Sequence, residues 1–230
     1  MDFEVIYEDN SIIVVNKPQN IPTQADSSGD KDMLTMIKEY IKEKYNKPGN
    51  VFIGLVHRLD RPTGGVMVFA RNSKAASRLS EQIRNGEFDK TYFAVTKAIP
   101  HPKQSKIVTY LKKDEKNNIA RIVPMLEDGA KRAELEYKVL ETYDKMALVK
   151  VNLFTGRGHQ IRAQLASIKC PIVGDQKYDP NAIKANLHLF AVELSFLHPV
   201  SKEKMVFRVF PPEQKDLWSK FNLEKYLSLK

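Results

Sequence analysis

The chain has one cysteine in 230 residues, which excludes an internal disulfide. Cys170 stands before Pro171 among apolar residues and reads as a small core side chain, so no chemistry is assigned to it. Long apolar runs are missing too. The longest, such as Ile12 to Val15 and Val66 to Ala70, fall far short of the roughly 20 residues of a membrane-spanning helix. The opening Met-Asp-Phe-Glu has no basic region leading into an apolar one, so no leader is read there and a cytoplasmic protein without a membrane partner is expected. Histidines are few, at 57, 101, 159, 188 and 198, and no two stand four apart. With a single cysteine they compose no zinc site, and no metal is expected. There is no Gly-x-Ser-x-Gly elbow and no Walker-type Gly-Lys-Ser/Thr, which argues against a serine hydrolase and against a nucleotide cofactor.

What the chain does have is positive charge. Thirty-seven Lys and Arg against 28 Asp and Glu leave a net +9, and 42% hydrophobic residues suffice for a proper core. A basic surface supplies the sequence-independent part of nucleic-acid affinity by releasing counterions from phosphates. No basic amphipathic helix with a bulky apolar face competes for a membrane surface.

Read in order, Phe3 to Tyr7 and Ser11 to Asn16 are predicted strands around the turn Glu8-Asp9-Asn10. Pro22 to Lys31 has the composition of a surface loop. Met33, Met36, Ile37, Tyr40 and Ile41 recur at helical spacing, and Pro48-Gly49 closes that element. Val51 to Val56 and Val66 to Ala70 read as strands. Asn72 or Ser73 is placed to cap a helix with Ala76, Leu79 and Ile83 inward, ending at Gly86. Lys90 to Val95 reads as a strand, and residues 99–130 as two short strands joined by an exposed turn. Ala133 to Tyr143 and Met146 to Phe154 form a hairpin about Tyr143-Asp144-Lys145. A helix over His159 to Ile168, strands over Leu187 to Phe196 and Met205 to Phe210, and a last helix with Trp218, Phe221 and Tyr226 complete the reading. Strands in runs, without regular strand-helix alternation, predict an α+β fold with a large, mostly antiparallel mixed sheet flanked by helices and loops. No linker or repeat interrupts 1–230, so a single domain without a separate N-terminal module is expected.

Two stretches carry candidate chemistry. In the first, Asp60 lies among His57, Arg58 and Arg61, followed by Pro62 and Gly64-Gly65, which mark a turn running into a strand. Alone, these residues fit an ion-paired surface loop equally well. In the second, Gly156-Arg157-Gly158 opens a helix bearing His159, Gln160 and Arg162. That arrangement suits an anion at a helix N-terminus and also suits a capped helix with a solvated basic face.

Together the stretches are more specific. His-Arg-Leu-Asp-Arg-Pro-Thr-Gly-Gly (57–65), Lys-Thr-Tyr-Phe-Ala (90–94), Gly-Arg-Gly-His-Gln-Ile-Arg (156–162), Pro-Ile-Val-Gly-Asp (171–175) and Leu-Ser-Phe-Leu-His-Pro (194–199) resemble, in order and spacing, the RluA-type pseudouridine synthases. Val5 to Pro18, with Asn-Lys-Pro, resembles that family's opening. The chain departs from its usual pattern at Gly65, Gly158 and Phe190, where Ser, Thr and His are usual.

The resemblance implies isomerisation of uridine to pseudouridine in structured RNA, ribosomal or transfer, by a monomer that needs no cofactor. It makes Asp60 the catalytic aspartate, Tyr92 the residue packing on the target base and Arg162 the aspartate's basic partner. His57, Arg58, Arg61, Lys90, Arg157, His159 and Gln160 are then expected to bind RNA. Because C1′ and C5 of a stacked uridine are inaccessible, the base has to leave the stack. The competing class is a catalytically silent RNA-binding protein, which has no need of Asp60, Tyr92 and Arg162 as a set. A base-excising glycosylase differs in leaving free uracil.

Overall fold

The computed structural model describes residues 3–212 and 216–227. Among them are eleven strands, three α-helices and two 3-10 helices, and the fold is α+β as expected. The chain divides into two compact units, Met1–Phe88 with Glu193–Val209, and Asp89–Val192 with Phe210–Lys230.

In the first unit, β1 (Glu4–Glu8) pairs antiparallel with β2 (Ile12–Lys17), and β2 with β4 (Gly64–Ala70), with Val14 opposite Val68. Every residue of β4 is buried, which explains its unbroken apolar run: both of its faces are covered. The strand expected over Val51 to Val56 shrinks to β3, Gly54–Leu55. At Gly54 a Cβ would come within 2.9 Å of the Ala76 Cβ and 3.3 Å of the Ala70 Cβ, so the chain touches its neighbours there and turns away.

Two helices in this unit start and stop on local signals. Asp32 caps α1 (Met33–Lys44) by accepting from the Thr35 amide, and the helix buries Met33, Met36, Ile37 and Ile41. Asn72 caps α2 (Ser73–Asn85) by accepting from Ala75, and Gly86 ends it at φ +74°, a conformation that costs glycine little. Ala75, Leu79 and Gln82 face inward; the Gln82 amide donates to the Leu197 carbonyl and accepts from the Leu197 amide. Leu197 closes β10 (Leu189–Leu197), whose last five residues pair antiparallel with β11 (Lys204–Arg208). A buried glutamine using both ends of its amide on one residue satisfies the rule that inward polar groups be paired.

The second unit is built on an antiparallel sheet whose neighbours are not all consecutive in the chain. Its strands β5 (Asp89–Thr96), β6 (Gln104–Asp114), β7 (Ile119–Val123), β8 (Lys131–Tyr143) and β9 (Met146–Leu153) lie in the order β5-β9-β8-β6-β7. Region 99–130 thus holds an eleven-residue strand where short ones were expected. From Gln104 to Thr109 exposed and half-buried residues alternate, as in a sheet with one wet face, and β8 pairs with this strand from Gln104 to Leu111. Helix α3 (Gln160–Ser167) packs on this sheet, with Ala163 against Leu111, Ala120 and Ala133. The Gln164 amide spans the Ile107 and Ala133 carbonyls and the Thr109 hydroxyl.

The expected last helix is instead two 3-10 turns, Leu217–Lys220 and Leu223–Lys225. Phe221 between them is extended at φ −124°, and the Asn222 side chain accepts from the Lys225 amide, so a polar cap interrupts the apolar sequence. Trp218 is nonetheless buried, its ring 5.5 Å from that of His188.

Candidate active site

The Asp60 loop is held by its backbone. Four successive carbonyls each have a donor: Leu59 accepts from the Thr23 hydroxyl (2.8 Å), Asp60 from the Thr63 amide (2.9 Å), Arg61 from the Lys17 ammonium (3.2 Å) and Pro62 from the Gln19 amide (3.0 Å). Three of these donors come from the end of β2 and the residues following it. None of the four bonds uses the Asp60 side chain, so the loop fixes where the carboxylate starts without engaging it. Asp60 is half-buried, and the neighbouring Leu59 is in the core.

Lys17 is the unusual member of this group. It is fully buried, and its ammonium also donates to the carbonyls of Pro18 (2.9 Å) and Ile21 (2.6 Å). Burial pushes it down to about 7; the Asp60 charge pulls the other way, and Arg61 adds to the lowering. A lysine in this position does two jobs: it satisfies three inward carbonyls and sets a cationic group beneath the aspartate loop.

The other residues named beside Asp60 divide by role. Arg58 is exposed. Arg61 reaches back to the Pro22 to Lys31 loop, bonding the Asp30 carboxylate, lying 3.6 Å from Asp26 and donating to the Asn20 carbonyl (3.2 Å). His57 accepts from the Val68 amide of β4 (3.1 Å), its ring edge-on to Phe88 at 5.4 Å. Both side chains therefore have work within the protein that their sequence position did not reveal.

In the second unit, Tyr92 sits on β5 opposite Val151, which in turn faces Tyr137 of β8. Since side chains alternate, Tyr92 shares a sheet face with Leu135 and Ala133, the face that Ala163 of α3 covers. The register thus places Tyr92 and α3 on one side of the sheet. Tyr92 is 6% exposed. Lys90, two residues earlier, has its ammonium 3.6 Å from where a Cβ on Gly156 would lie, and burial lowers its pKa.

The Gly156 to His159 turn is locked from inside. Gln160, 2% exposed, accepts through Oε1 from the Thr155 hydroxyl (2.8 Å) and the Arg157 amide (3.0 Å), and donates through Nε2 to the Glu134 carbonyl (3.1 Å). These three bonds turn the Gln160 amide inward, where it shapes the loop. Arg157 is exposed, with Nε on the Arg132 carbonyl. His159 takes the left-handed conformation at φ +54° before the helix, its Nδ1 3.0 Å from the Tyr178 hydroxyl.

Arg162 is buried and paired with a residue that sequence reasoning left without a role. Its Nε and Nη2 donate to the two oxygens of Asp175, at 2.8 and 2.7 Å, and its guanidinium lies 5.2 Å from the Tyr178 ring centre. Asp175 had been noted only as the end of Pro-Ile-Val-Gly-Asp.

No group of three or more His, Cys, Asp or Glu among the described residues is placed to hold a metal ion, and no helix there is long and apolar enough to cross a membrane.

Comparison with known proteins follows the same lines. A family model described as RNA pseudouridylate synthase matches residues 11–167. An "Uncharacterized RNA pseudouridine synthase" of Aquifex aeolicus (strain VF5) is 34% identical over 225 residues, covering 91% of this chain and 69% of the relative. A "Ribosomal large subunit pseudouridine synthase C" of Rickettsia bellii (strain RML369-C) is 35% identical over 175 residues, 76% of this chain and 56% of that one. Among solved structures, "Human RNA Pseudouridylate Synthase Domain Containing 4" superposes with a TM-score of 0.76 over 91% of this chain and 88% of the other; at 24% identity this speaks for the fold alone. With matches of this extent joined to the motifs around Asp60, Tyr92 and Arg162, the chain belongs to the RNA pseudouridylate synthase family.

Proposed function

We propose that this protein converts uridine to pseudouridine in ribosomal or transfer RNA, acting as a cytoplasmic monomer, with Asp60 as the group that works on a flipped-out uridine. Three kinds of residue would share the task. Asp60 breaks the bond between N1 and C1′, either by attacking C1′ or by taking a 2′ proton, and both routes need the same ionised carboxylate. Tyr92 offers an aromatic face to the base, and Arg162 is the aspartate's basic partner. Once the base has turned and rejoined through C5, the C5 proton leaves and N1 carries a proton. No electrons are gained or lost.

The observation that carries this reading is the Asp60 loop. Four carbonyl bonds and a buried lysine fix its backbone, which is how a protein presents a reactive side chain from a loop with the rigidity of a strand. Arg58 and Arg157, both exposed, are the RNA contacts it favours, with phosphate as their target. His57 and Arg61 support the aspartate loop, and Lys90 and His159 support the turn before α3. Ribosomal RNA comes first among substrates because relatives such as the Rickettsia bellii protein are named for the large ribosomal subunit.

Mapping carbodiimide adducts across cellular RNA with and without the protein tests the proposal. At least one uridine should form the adduct only when the protein is present; identical maps would refute it. For Tyr92, the Tyr92→Phe variant should keep turnover within a few-fold while Tyr92→Ala loses about tenfold or more, as expected where stacking is worth about 1–3 kcal/mol. A Phe variant as slow as the Ala variant would show that the hydroxyl takes part in moving the C5 proton.

A further inference from the structure

The segment Pro-Ile-Val-Gly-Asp, residues 171–175, has no part in the reaction as described so far, yet it is built with care. It runs beside β5, the strand that bears Tyr92. The Lys97 amide donates to the Pro171 carbonyl (3.0 Å), the Val173 amide to the Val95 carbonyl (2.9 Å), and Ile172 forms an antiparallel bridge with Thr96. On its other side the His188 amide donates to the Val173 carbonyl (2.9 Å). Gly174 has φ +80°, and a Cβ there would lie 2.2 Å from the Asn186 carbonyl oxygen, so only glycine lets the chain pass this close. The next residue is Asp175.

Its carboxylate is itself immobilised. Besides the two bonds from Arg162, Oδ1 accepts from the backbone amides of Lys177 (3.1 Å) and Tyr178 (3.3 Å). Tyr178 in turn lays its ring against the Arg162 guanidinium, and its hydroxyl accepts from the Ala120 amide of β7 at 2.6 Å. Arg162 is therefore fixed along one edge by a carboxylate and against one face by an aromatic ring, both on a segment bonded to the Tyr92 strand. The edge at Nη1 is not used by Asp175.

A bidentate pair buried to this degree is a poor device for stability alone, because apolar residues of similar volume generally do as well or better. Its particular property is direction: two parallel N–H···O bonds fix the plane and the rotation of a guanidinium, which a single point contact does not. Building on the reading that Arg162 serves the reacting aspartate, we propose that Asp175 is a positioning residue of the reaction, which locks the Arg162 guanidinium in register with the strand that carries Tyr92. It touches neither RNA nor the reacting atoms. It acts through Arg162, and the Pro-Ile-Val-Gly stretch before it exists to seat it.

The test separates turnover from binding. The substrate is a large-subunit ribosomal RNA transcript tritiated at uridine C5, with kcat and KM taken from label release and Kd from filter binding. Asp175→Asn keeps the shape but weakens the paired bonds, and should lower kcat about 100-fold, the loss typical of a catalytic group misplaced by about 1 Å, with KM and Kd within threefold of wild type. Asp175→Glu keeps the charge but moves it by one methylene; it should stay folded and lose about tenfold in kcat. In an Arg162→Lys background, Asp175→Asn should cost less than threefold more, because its route to the reaction is already cut.

Full kcat in folded Asp175→Asn overturns the inference, as does a variant whose loss lies in KM and Kd instead. So does a full 100-fold further loss in the Arg162→Lys background. Should Asp175→Asn fail to fold, Asp175→Glu decides, and wild-type kcat there overturns the proposal. A wild-type protein releasing no label from that transcript or from C5-tritiated transfer RNA refutes the function and this inference together, whereas wild-type release with an indifferent Asp175 refutes the inference only.

Discussion

In the first unit four carbonyls from Leu59 to Pro62 each receive a donor, and the side chain of Asp60 takes no part in those bonds. In the second unit the reverse holds for Arg162: its backbone lies in an ordinary helix, and its guanidinium is gripped by Asp175 and Tyr178. The contrast fits the roles proposed for the two groups. If Asp60 works on the substrate, bonds to the main chain of its loop aim it without using its oxygens in those four contacts. A guanidinium has five N–H donors, and Arg162 commits two of them to the Asp175 carboxylate. The sites should accordingly fail in different ways, the first through loop displacement and the second through an unpaired buried charge.

The largest effect is expected in the second unit. Arg162→Ala leaves the fully buried Asp175 without its partner and should cost about 3–5 kcal/mol in urea unfolding along with activity, as breaking a buried pair does. A loss below about 1 kcal/mol would show that the pair is not what holds this region.

Lys17→Met probes the first unit through pH. With a folded pKa near 7 against 10.5 for an ordinary lysine, the unfolded chain binds the Lys17 proton more readily than the folded one. The cost to stability is then complete below pH 7 and is relieved as pH rises from 7 towards 10.5. Wild type should gain a few kcal/mol relative to Lys17→Met between pH 7 and pH 10, whatever their difference at neutrality. Parallel stability curves would mean that Lys17 is held charged throughout.

Thr23→Val is the mildest change. It removes the donor to the Leu59 carbonyl in a buried place and should cost about 1–2 kcal/mol, with a modest fall in kcat and unaltered RNA affinity. No change in either quantity would mean that the other three carbonyl bonds suffice to place Asp60.

How much of this the amino-acid sequence revealed depends on whether the cause was local. Asn72 capping α2, Gly86 ending it and the turn at Asp144, φ +52°, follow from side-chain chemistry within a few residues, and each was read correctly. The length of β6 was missed because Lys106, Lys112 and Lys113 lower its strand propensity, while the pairing that stabilises it comes from β8, some thirty residues on. The last helix was misread because Trp218, Phe221 and Tyr226 supply apolar residues at helical spacing but the Asn222 cap lies between them.

The site shows the same division. Asp60, Tyr92 and Arg162 stand out in the sequence because each sits in a motif of distinctive composition. Lys17, Thr23 and Gln19 do not, since their bonds to the loop span 36 to 44 residues. Gln160 shows the same limit: beside Arg157 and His159 it reads as an RNA contact, and only the folded chain shows its amide turned inward.

The central claim, that the Asp60 carboxylate performs the isomerisation, is tested most directly by tritium release from C5-labelled ribosomal RNA with the Asp60→Asn enzyme. None of the four carbonyl bonds depends on that side chain, so the variant should fold and bind RNA as wild type does. Its release of label should fall by about 1,000-fold or more. Release at the wild-type rate by a folded Asp60→Asn protein would contradict the account.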